Sequence, residues 1–230
     1  MKILAIETAT EACSAALVQD GDVIERYVVA PREHNRLILP MIEEVLAEAG
    51  VVRTQIDAVA FGRGPGSFTG LRIAAGVTQG IAYGLDCPVL PVSTLAALAF
   101  QSFEEAAGEG VYACLDARMG EIYGALFRRG QAGVPDLIGD EAVLAPERVE
   151  AAGIMVRLGV GSGWVTYRGV LSERLKTVVE VLEDHFPRAA YIGRLGARDF
   201  AAGRCVSAGE AIPVYLRDQV ARKPRTQARE

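Results

Sequence analysis

Residues 1–29, MKILAIETATEACSAALVQDGDVIERYVV, decide the fold of this 230-residue chain. Three apolar runs of strand length lie within it: Ile3 to Ile6, Ala12 to Val18, and Val23 to Val29. Asp20-Gly21, between the second run and the third, is a hairpin turn signal. The segment therefore predicts three successive strands, with the carboxylate of Glu7 at the end of the first.

Helices and strands alternate in the sequence that follows. Apolar residues at three- and four-residue steps predict a helix from Ile38 to Ala49 that ends at Gly50, with a kink at Pro40. The next predicted elements are a strand Ile56–Phe61, a helix Thr69–Leu85, a strand Cys87–Val92, and a helix capped by Ser93 that runs through Ala107. The first 107 residues therefore read β-β-β-α-β-α-β-α.

The second half begins as a copy of the first. At an offset of 109 residues Glu7 falls on Asp116, Leu17 on Leu126, and Gly21 on Gly130. Residues 130–153 carry Gly, Pro and charges where the first half has its third strand and long helix, so the copy is degenerate. Beyond them we predict a strand Met155–Val160, a helix Arg188–Ala202, and a short strand Ile212–Tyr215.

This order of elements indicates an α/β protein with a duplicated actin-like fold (ASKHA, ribonuclease-H-like) of two β-β-β-α-β-α-type halves. We expect a first domain at residues 1–107, a second, degenerate domain at 108–216, and a basic tail at 217–230. In that fold a nucleotide sits between the halves, but the fold alone does not establish an activity.

Composition excludes several classes of protein. Half of the residues are hydrophobic and the net charge is −5, which argues against a disordered chain and against a nucleic-acid clamp. No apolar stretch is long enough to span a bilayer, and no C-x-x-C pair is present, so we expect a cytoplasmic protein. Only residues 217–230, with five bases and two acids, are basic; this tail is either an RNA or acidic-partner contact or a solvated end.

The loop Gly62-Arg63-Gly64-Pro65-Gly66-Ser67-Phe68-Thr69-Gly70 is the most distinctive segment. It is not a P-loop, because no Gly-Lys-Ser/Thr follows. Its glycines suit either an anion cradle at a helix N-terminus or a tight structural turn. In the helix that follows, Gly76, Gly80 and Gly84 share one face, and three such glycines cost about 1 kcal/mol each relative to Ala. Close packing within the chain or docking by a second chain would compensate.

Carboxylates at the two predicted hairpins form a candidate nucleotide site. Glu7, Thr8 and Thr10 lie at the first hairpin, and Asp116 lies at the matching place in the second. A carboxylate pair across a cleft suits Mg-nucleotide, but Arg118 and Glu121 could equally pair with Asp116 and cancel the site. The two histidines, His34 and His185, are 151 residues apart, which excludes a helix-borne metal pair. We therefore predict no catalytic residue and no metal ligand.

Four segments carry a family resemblance: MKILAIETATEACSAAL, EHNRLILPMIEEVL, FGRGPGSFTGLRIAAGVTQGIA and PVYLRDQVA. Together they resemble the TsaB (YeaZ) family, bacterial relatives of the TsaD/Gcp-like proteins. The resemblance implies a non-catalytic dimerization or scaffold subunit. It would bind TsaD, which transfers threonylcarbamoyl to N6 of the adenosine next to the tRNA anticodon, and TsaE would join the pair.

The resemblance also implies which residues bind partners. They are His34, Asn35, Arg36, Leu37, Pro40, Ser67, Phe68, Thr69, Arg72, Gly76 and Gly80. A homodimer could use the same surface, and tRNA would be bound mainly by the partners, away from any membrane. No cofactor is implied as required; weak ATP or ADP binding near Glu7, Thr8, Thr10 and Asp116 stays open. The alternatives are a nucleotide-dependent small-molecule kinase of the same fold and a homodimeric nucleotide-binding regulator.

Overall fold

The computed structural model describes residues 1–217, which form two five-stranded mixed sheets with five α-helices. The strands are β1 (Lys2–Glu7), β2 (Ala12–Gln19), β3 (Asp22–Val29), β4 (Ala58–Gly64), β5 (Val89–Ser93), β6 (Gly110–Arg118), β7 (Glu121–Arg129), β8 (Pro135–Leu144), β9 (Val156–Val160) and β10 (Glu180–Leu182). The helices are α1 (His34–Ala49), α2 (Phe68–Leu85), α3 (Thr94–Glu105), α4 (Ser162–Arg174) and α5 (Ala189–Ala201).

The first sheet has the order β3-β2-β1-β4-β5, and its first three strands form an antiparallel meander. β4 then pairs parallel with β1, and β5 pairs parallel with β4. Almost every residue of β1 and β2 is buried, because helices cover both faces of the sheet. α1 and α2 pack on one face and α5 on the other.

The second sheet repeats this order as β8-β7-β6-β9-β10, which confirms the duplicated α/β fold. Glu7 pairs with Ser14 in the first hairpin, and Asp116 pairs with Ile122 in the second. The expectation that the copy lacks a third strand is wrong, because Pro135–Leu144 forms β8 as an edge strand. Between β8 and β9 only a 3-10 turn, Pro146–Arg148, stands where the first half has α1.

The two halves exchange their last helices. α3 follows β5 in sequence but buries Leu95, Leu98 and Phe103 against the second sheet. α5 follows β10 but packs on the first sheet, where a Cβ on Gly193 would come 2.6 Å from Val18 Cγ2. The division of the chain at residue 107 stays a prediction, and each sheet takes one covering helix from the other half.

Side-chain contacts hold the exchanged helix α5 in place. The Glu25 carboxylate on β3 accepts hydrogen bonds from Arg188 Nε and from the backbone N–H of Ala190, both at 2.9 Å. Ser14 Oγ accepts from the Ala189 N–H at 2.9 Å. Both acceptors satisfy N–H groups that a helix start leaves unpaired, and a carboxylate there also suits the helix dipole.

Most element boundaries agree with the prediction from sequence. Ser93 accepts a hydrogen bond from Ala96 N and so caps α3 as expected, and Ser67 accepts from Gly70 N and caps α2. The predicted strand Ile212–Tyr215 is wrong: these residues form no regular structure, and the edge of β5 pairs with Val206 instead. Over the part of the chain that the structure describes, no helix has both the length and the hydrophobicity that a bilayer span requires. Residues 218–230 of the predicted tail lie outside the described residues.

Candidate functional site

A cleft of about 920 Å³ separates the two halves. The first half contributes the turn after β1, with Thr10, and the start of α2. The second half contributes Asp116 on β6 and the start of α4. Thr10 and Asp116 therefore both line this cleft, whereas Glu7 and Thr8 are absent from its lining.

The glycine loop packs directly on the turn between β1 and β2. Ser67 N donates to Ala9 O at 2.7 Å, and Thr8 Oγ1 donates to Gly70 O at 2.8 Å. A Cβ on Gly66 would lie 2.5 Å from Ala9 O, and one on Gly70 would overlap Thr8 O. The loop therefore acts as a tight structural turn that joins the first hairpin to α2, in line with the second of the two alternatives.

Glu7 is fully buried behind this turn. Its Oε1 accepts from Ala9 N at 2.6 Å, and its Oε2 accepts from Thr94 Oγ1 at 3.2 Å. Burial raises the pKa of Glu7 to about 7, although these hydrogen bonds act in the opposite direction. The side chain thus links the end of β1 to the first residue of α3 and does not face the cleft.

Asp116 is paired within its own hairpin. Its Oδ1 accepts from Arg118 N at 2.7 Å, and its Oδ2 accepts from Arg118 Nη1 at 3.1 Å. Arg118 Nη2 also lies 3.7 Å from Glu11 Oε1, across the cleft. Of the two pairings that the sequence left open, the one with Arg118 is present, while Glu121 binds Arg217 at 2.6 Å.

One side of α2 is exposed along its whole length. Phe68 is 56% exposed and Tyr83 is 85% exposed, and Arg72, Gly76, Gly80 and Gly84 are exposed as well. Apart from the backbone of α2 itself, no atom of residues 1–217 lies within 4 Å of a Cβ built on Gly76, Gly80 or Gly84. Packing within the described chain therefore does not account for the glycines, and this alternative is wrong.

α1 lies beside α2 and presents a second exposed side. Asn35, Arg36 and Pro40 are exposed, and so is Leu39, at 53%, which sequence reasoning missed. Leu37 is half-buried against the core. We call the exposed residues Asn35, Arg36, Leu39, Pro40, Ser67, Phe68, Thr69, Arg72, Gly76 and Gly80 the α1–α2 face.

His34 does not belong to this face. The resemblance implies a partner contact for His34, but the side chain is 7% exposed, and its Nε2 lies 3.1 Å from Ala12 O. The imidazole thus ties the first residue of α1 to the start of β2. No signal in the sequence distinguishes this role from an exposed one, because His34 immediately precedes the exposed Asn35 and Arg36.

An aromatic cluster at the start of α2 includes a residue that sequence reasoning missed. The Arg72 guanidinium lies 3.9 Å from the Phe68 ring centroid, and Arg72 Nε donates to Tyr215 Oη at 3.3 Å. The rings of Phe68 and Tyr215 are 5.6 Å apart. The C-terminal segment therefore borders the α1–α2 face.

The described residues hold no cluster of three or more His, Cys, Asp or Glu side chains that could bind a metal ion. Glu7 is buried behind the first turn and Asp116 is neutralised by Arg118, so these two carboxylates do not present a joint Mg-nucleotide site. What the surface offers is a partly apolar helical face with small residues at its centre.

Comparison with known proteins shows close relatives. A family model described as TsaD: tRNA N6-adenosine threonylcarbamoyltransferase matches residues 28–222. The chain is 42% identical to the tRNA threonylcarbamoyladenosine biosynthesis protein TsaB of Escherichia coli K12, covering 97% of both chains. It is 39% identical to the Haemophilus influenzae protein of the same name, covering 96% of this chain and 95% of the relative. The solved structure of YeaZ from Pseudomonas aeruginosa is 44% identical in sequence to this chain and superimposes on it with a TM-score of 0.88. The match covers 94% of this chain and 99% of the YeaZ chain.

Proposed function

The chain belongs to the TsaB family, and from this membership we propose that it acts in tRNA threonylcarbamoyladenosine biosynthesis as the subunit that docks on TsaD. In this proposal TsaD performs the transfer of threonylcarbamoyl to N6 of the adenosine next to the anticodon. The present chain supplies a binding surface and no catalytic group. TsaE joins the pair, tRNA is bound mainly by the partners, and the protein works in the cytoplasm.

The observation that carries this proposal is the open space beside Gly76, Gly80 and Gly84. Glycine inside an exposed helix costs about 1 kcal/mol relative to Ala, so three along one side of α2 need a compensating contact. Glycine also allows a second helix to approach closely. A partner helix laid along α2 would use this space, and the exposed Phe68 and Leu39 would supply apolar area at its border.

Co-purification with TsaD tests the proposal, with Gly80→Leu as the variant. A leucine at this position fills the open strip and should reduce capture of TsaD at least about tenfold, the effect of losing a central interface contact. Gly169→Leu is the matched control, because Gly169 is also an exposed glycine within a helix, α4, with no atom of the described chain near its Cβ. Equal capture by both variants would contradict the proposed docking surface.

A modification assay separates this function from its rivals. With TsaD and TsaE present, omitting this chain should abolish formation of the modified nucleoside, and Gly80→Leu should act like omission. Steady turnover of Mg-ATP by this chain alone would favour a kinase of the same fold. Nucleotide binding without turnover, and without any effect on tRNA, would favour a homodimeric regulator that uses the same face.

A further inference from the structure

The segment Ala211–Arg217 crosses from the first half of the protein to the second. At its start Ala211 is buried, and Ala211 O accepts from Gln79 Nε2 on α2 at 3.1 Å. Val214 N donates to Arg63 O on β4 at 2.7 Å. These contacts fix the first part of the segment to the first half.

Arg217 fixes the other end to the second hairpin. Arg217 Nη1 donates to Ala117 O at 3.0 Å and Nη2 donates to Glu121 Oε2 at 2.6 Å, and the side chain is only 16% exposed. The guanidinium carbon also lies 5.9 Å from the Tyr123 ring centroid. Since charge-assisted hydrogen bonds are about twice as strong as neutral ones, a single side chain here anchors the turn between β6 and β7.

This turn is a strained part of the cleft wall. Arg118 and Met119 have φ values of 61° and 59°, a left-handed conformation that costs non-glycine residues on the order of 1 kcal/mol each. The same Arg118 pairs with Asp116 and approaches Glu11 across the cleft. By holding this turn, Arg217 therefore also influences where Arg118 lies in the cleft.

The middle of the segment lies at the α1–α2 face. Tyr215 accepts from Arg72 and packs beside Phe68, so any partner that covers these two residues also meets Tyr215. Only Leu216 separates Tyr215 from Arg217. Two residues span at most about 7 Å, so Tyr215 and Arg217 are linked by a very short piece of backbone.

We propose that Ala211–Arg217 is a strap that transmits docking at the α1–α2 face to the second hairpin and thereby to the cleft. The strap itself is a property of the isolated chain. Its response to TsaD rests on the function proposed above. Arg217 is a positioning residue in this scheme, and Tyr215 is the contact through which the partner acts.

Hydrogen–deuterium exchange on the full chain tests the strap without any partner. Arg217→Ala should speed exchange of residues 116–123 about tenfold, since it removes the charge-assisted bonds that hold the turn. Glu121→Gln, which keeps Arg217 and its bonds to carbonyl groups, should have a smaller effect at the same residues. Arg204→Ala is the matched control, because Arg204 pairs with Asp199 at the end of α5, away from the cleft. A change confined to residues 211–217 in Arg217→Ala would overturn the proposal.

Addition of TsaD supplies the second arm of the experiment. In the unaltered chain TsaD should protect residues 67–80 and also change exchange at 116–123. In Arg217→Ala and in Tyr215→Ala, TsaD should still protect residues 67–80 but should no longer change exchange at residues 116–123. If TsaD protects no part of α2, the proposed function fails while the strap result in the free chain stands. If the hairpin responds to TsaD equally in all variants, the strap does not transmit docking.

Discussion

The carboxyl group of Glu7 lies against the backbone of Gly62. A Cβ built on Gly62 would overlap Glu7 Oε2, so the buried side chain fits only because β4 carries no side chain at this point. Glutamate at the end of β1 and glycine in the neighbouring strand are therefore a matched pair.

Gly62→Ala should lower the free energy of unfolding by about 1–3 kcal/mol, the usual range for overpacking a filled core. The Glu7 side chain would have to move and give up its bonds to Ala9 N and Thr94 Oγ1. Glu7→Asp, one methylene shorter, should restore part of the loss in the double variant. Urea unfolding of the two single variants and the double variant measures this coupling, and strictly additive effects would contradict it.

Glu7 should make the protein less stable as the pH rises. Its pKa is about 7 in the folded chain, against an ordinary value of 4.5, so the folded state holds the proton more tightly. The contribution of Glu7 to the free energy of unfolding is fully present below about pH 4.5. It is lost as the pH rises through 7, which lowers the free energy of unfolding by up to about 3 kcal/mol.

Glu7→Gln isolates this contribution, because the amide keeps an acceptor for Ala9 N and never ionises. The variant should be more stable than the unaltered chain at pH 8, and the difference should vanish near pH 4.5. Urea unfolding of both proteins at several pH values checks the sign. A difference that grows toward acid would show instead that the hydrogen bonds of Glu7 outweigh its burial and favour the charged carboxylate in the folded chain.

Gly70→Ala should be among the most damaging alanine substitutions in the first half. The new Cβ would overlap the backbone oxygen of Thr8, which cannot move without breaking the junction of loop and hairpin. We expect a loss of about 3 kcal/mol or more, at the upper end for overpacking. Thermal or urea unfolding against Gly76→Ala, six residues along the same helix, provides the comparison.

Alanine at Gly76, Gly80 and Gly84 should stabilise the isolated chain. Each position is helical and open, so the substitution should gain about 0.5–1 kcal/mol through the unfolded state. Gly169→Ala in α4 should give a similar gain. If the α1–α2 face binds a partner helix, the triple variant should be more stable but capture less TsaD, whereas Gly169→Ala should leave capture unchanged.

Arg188→Ala should weaken the attachment of α5 to the first sheet. It removes the partner of a carboxylate, Glu25, whose side chain is only 9% exposed, and the remaining contact is the Ala190 N–H. We expect a loss of about 2 kcal/mol, since an unpaired buried charge is costly. Arg168→Ala, which breaks an exposed pair with Glu183, should change the unfolding free energy by less than about 1 kcal/mol.

The sequence predicted the first half well because its local signals agree with one another. The runs in β1 to β3, the glycine after α1 and the cap Ser93 all occur where expected. β8 escaped notice because Pro135 and Gly139 interrupt it, which an edge strand tolerates. α4 was missed because it contains Gly163 and Gly169, is non-helical at Tyr167, and lacks a clear apolar stripe.

The candidate site was predictable where it depends on one helix and not where it depends on tertiary contacts. Helical spacing places Arg72, Gly76 and Gly80 on one side of α2, and that side is exposed. The same reasoning could not show that His34 turns inward or that Glu7 lies behind the turn, because both depend on contacts with elements distant in sequence. Ile212–Tyr215 has the composition of a strand, yet this segment lies along α2, where side chains of the helix donate hydrogen bonds to it and to the preceding Ala211.

The exchange of helices α3 and α5 has a consequence for biosynthesis. The first sheet is complete once β5 has left the ribosome, but the helix that covers its second face ends only at Ala201. At ordinary rates of translation the nascent chain therefore carries an uncovered apolar sheet for roughly 5 to 20 s. We therefore expect that cutting the chain at its midpoint leaves the first sheet with an uncovered apolar face, and that chimeras between relatives work best with α5 from the same parent as β1 to β5.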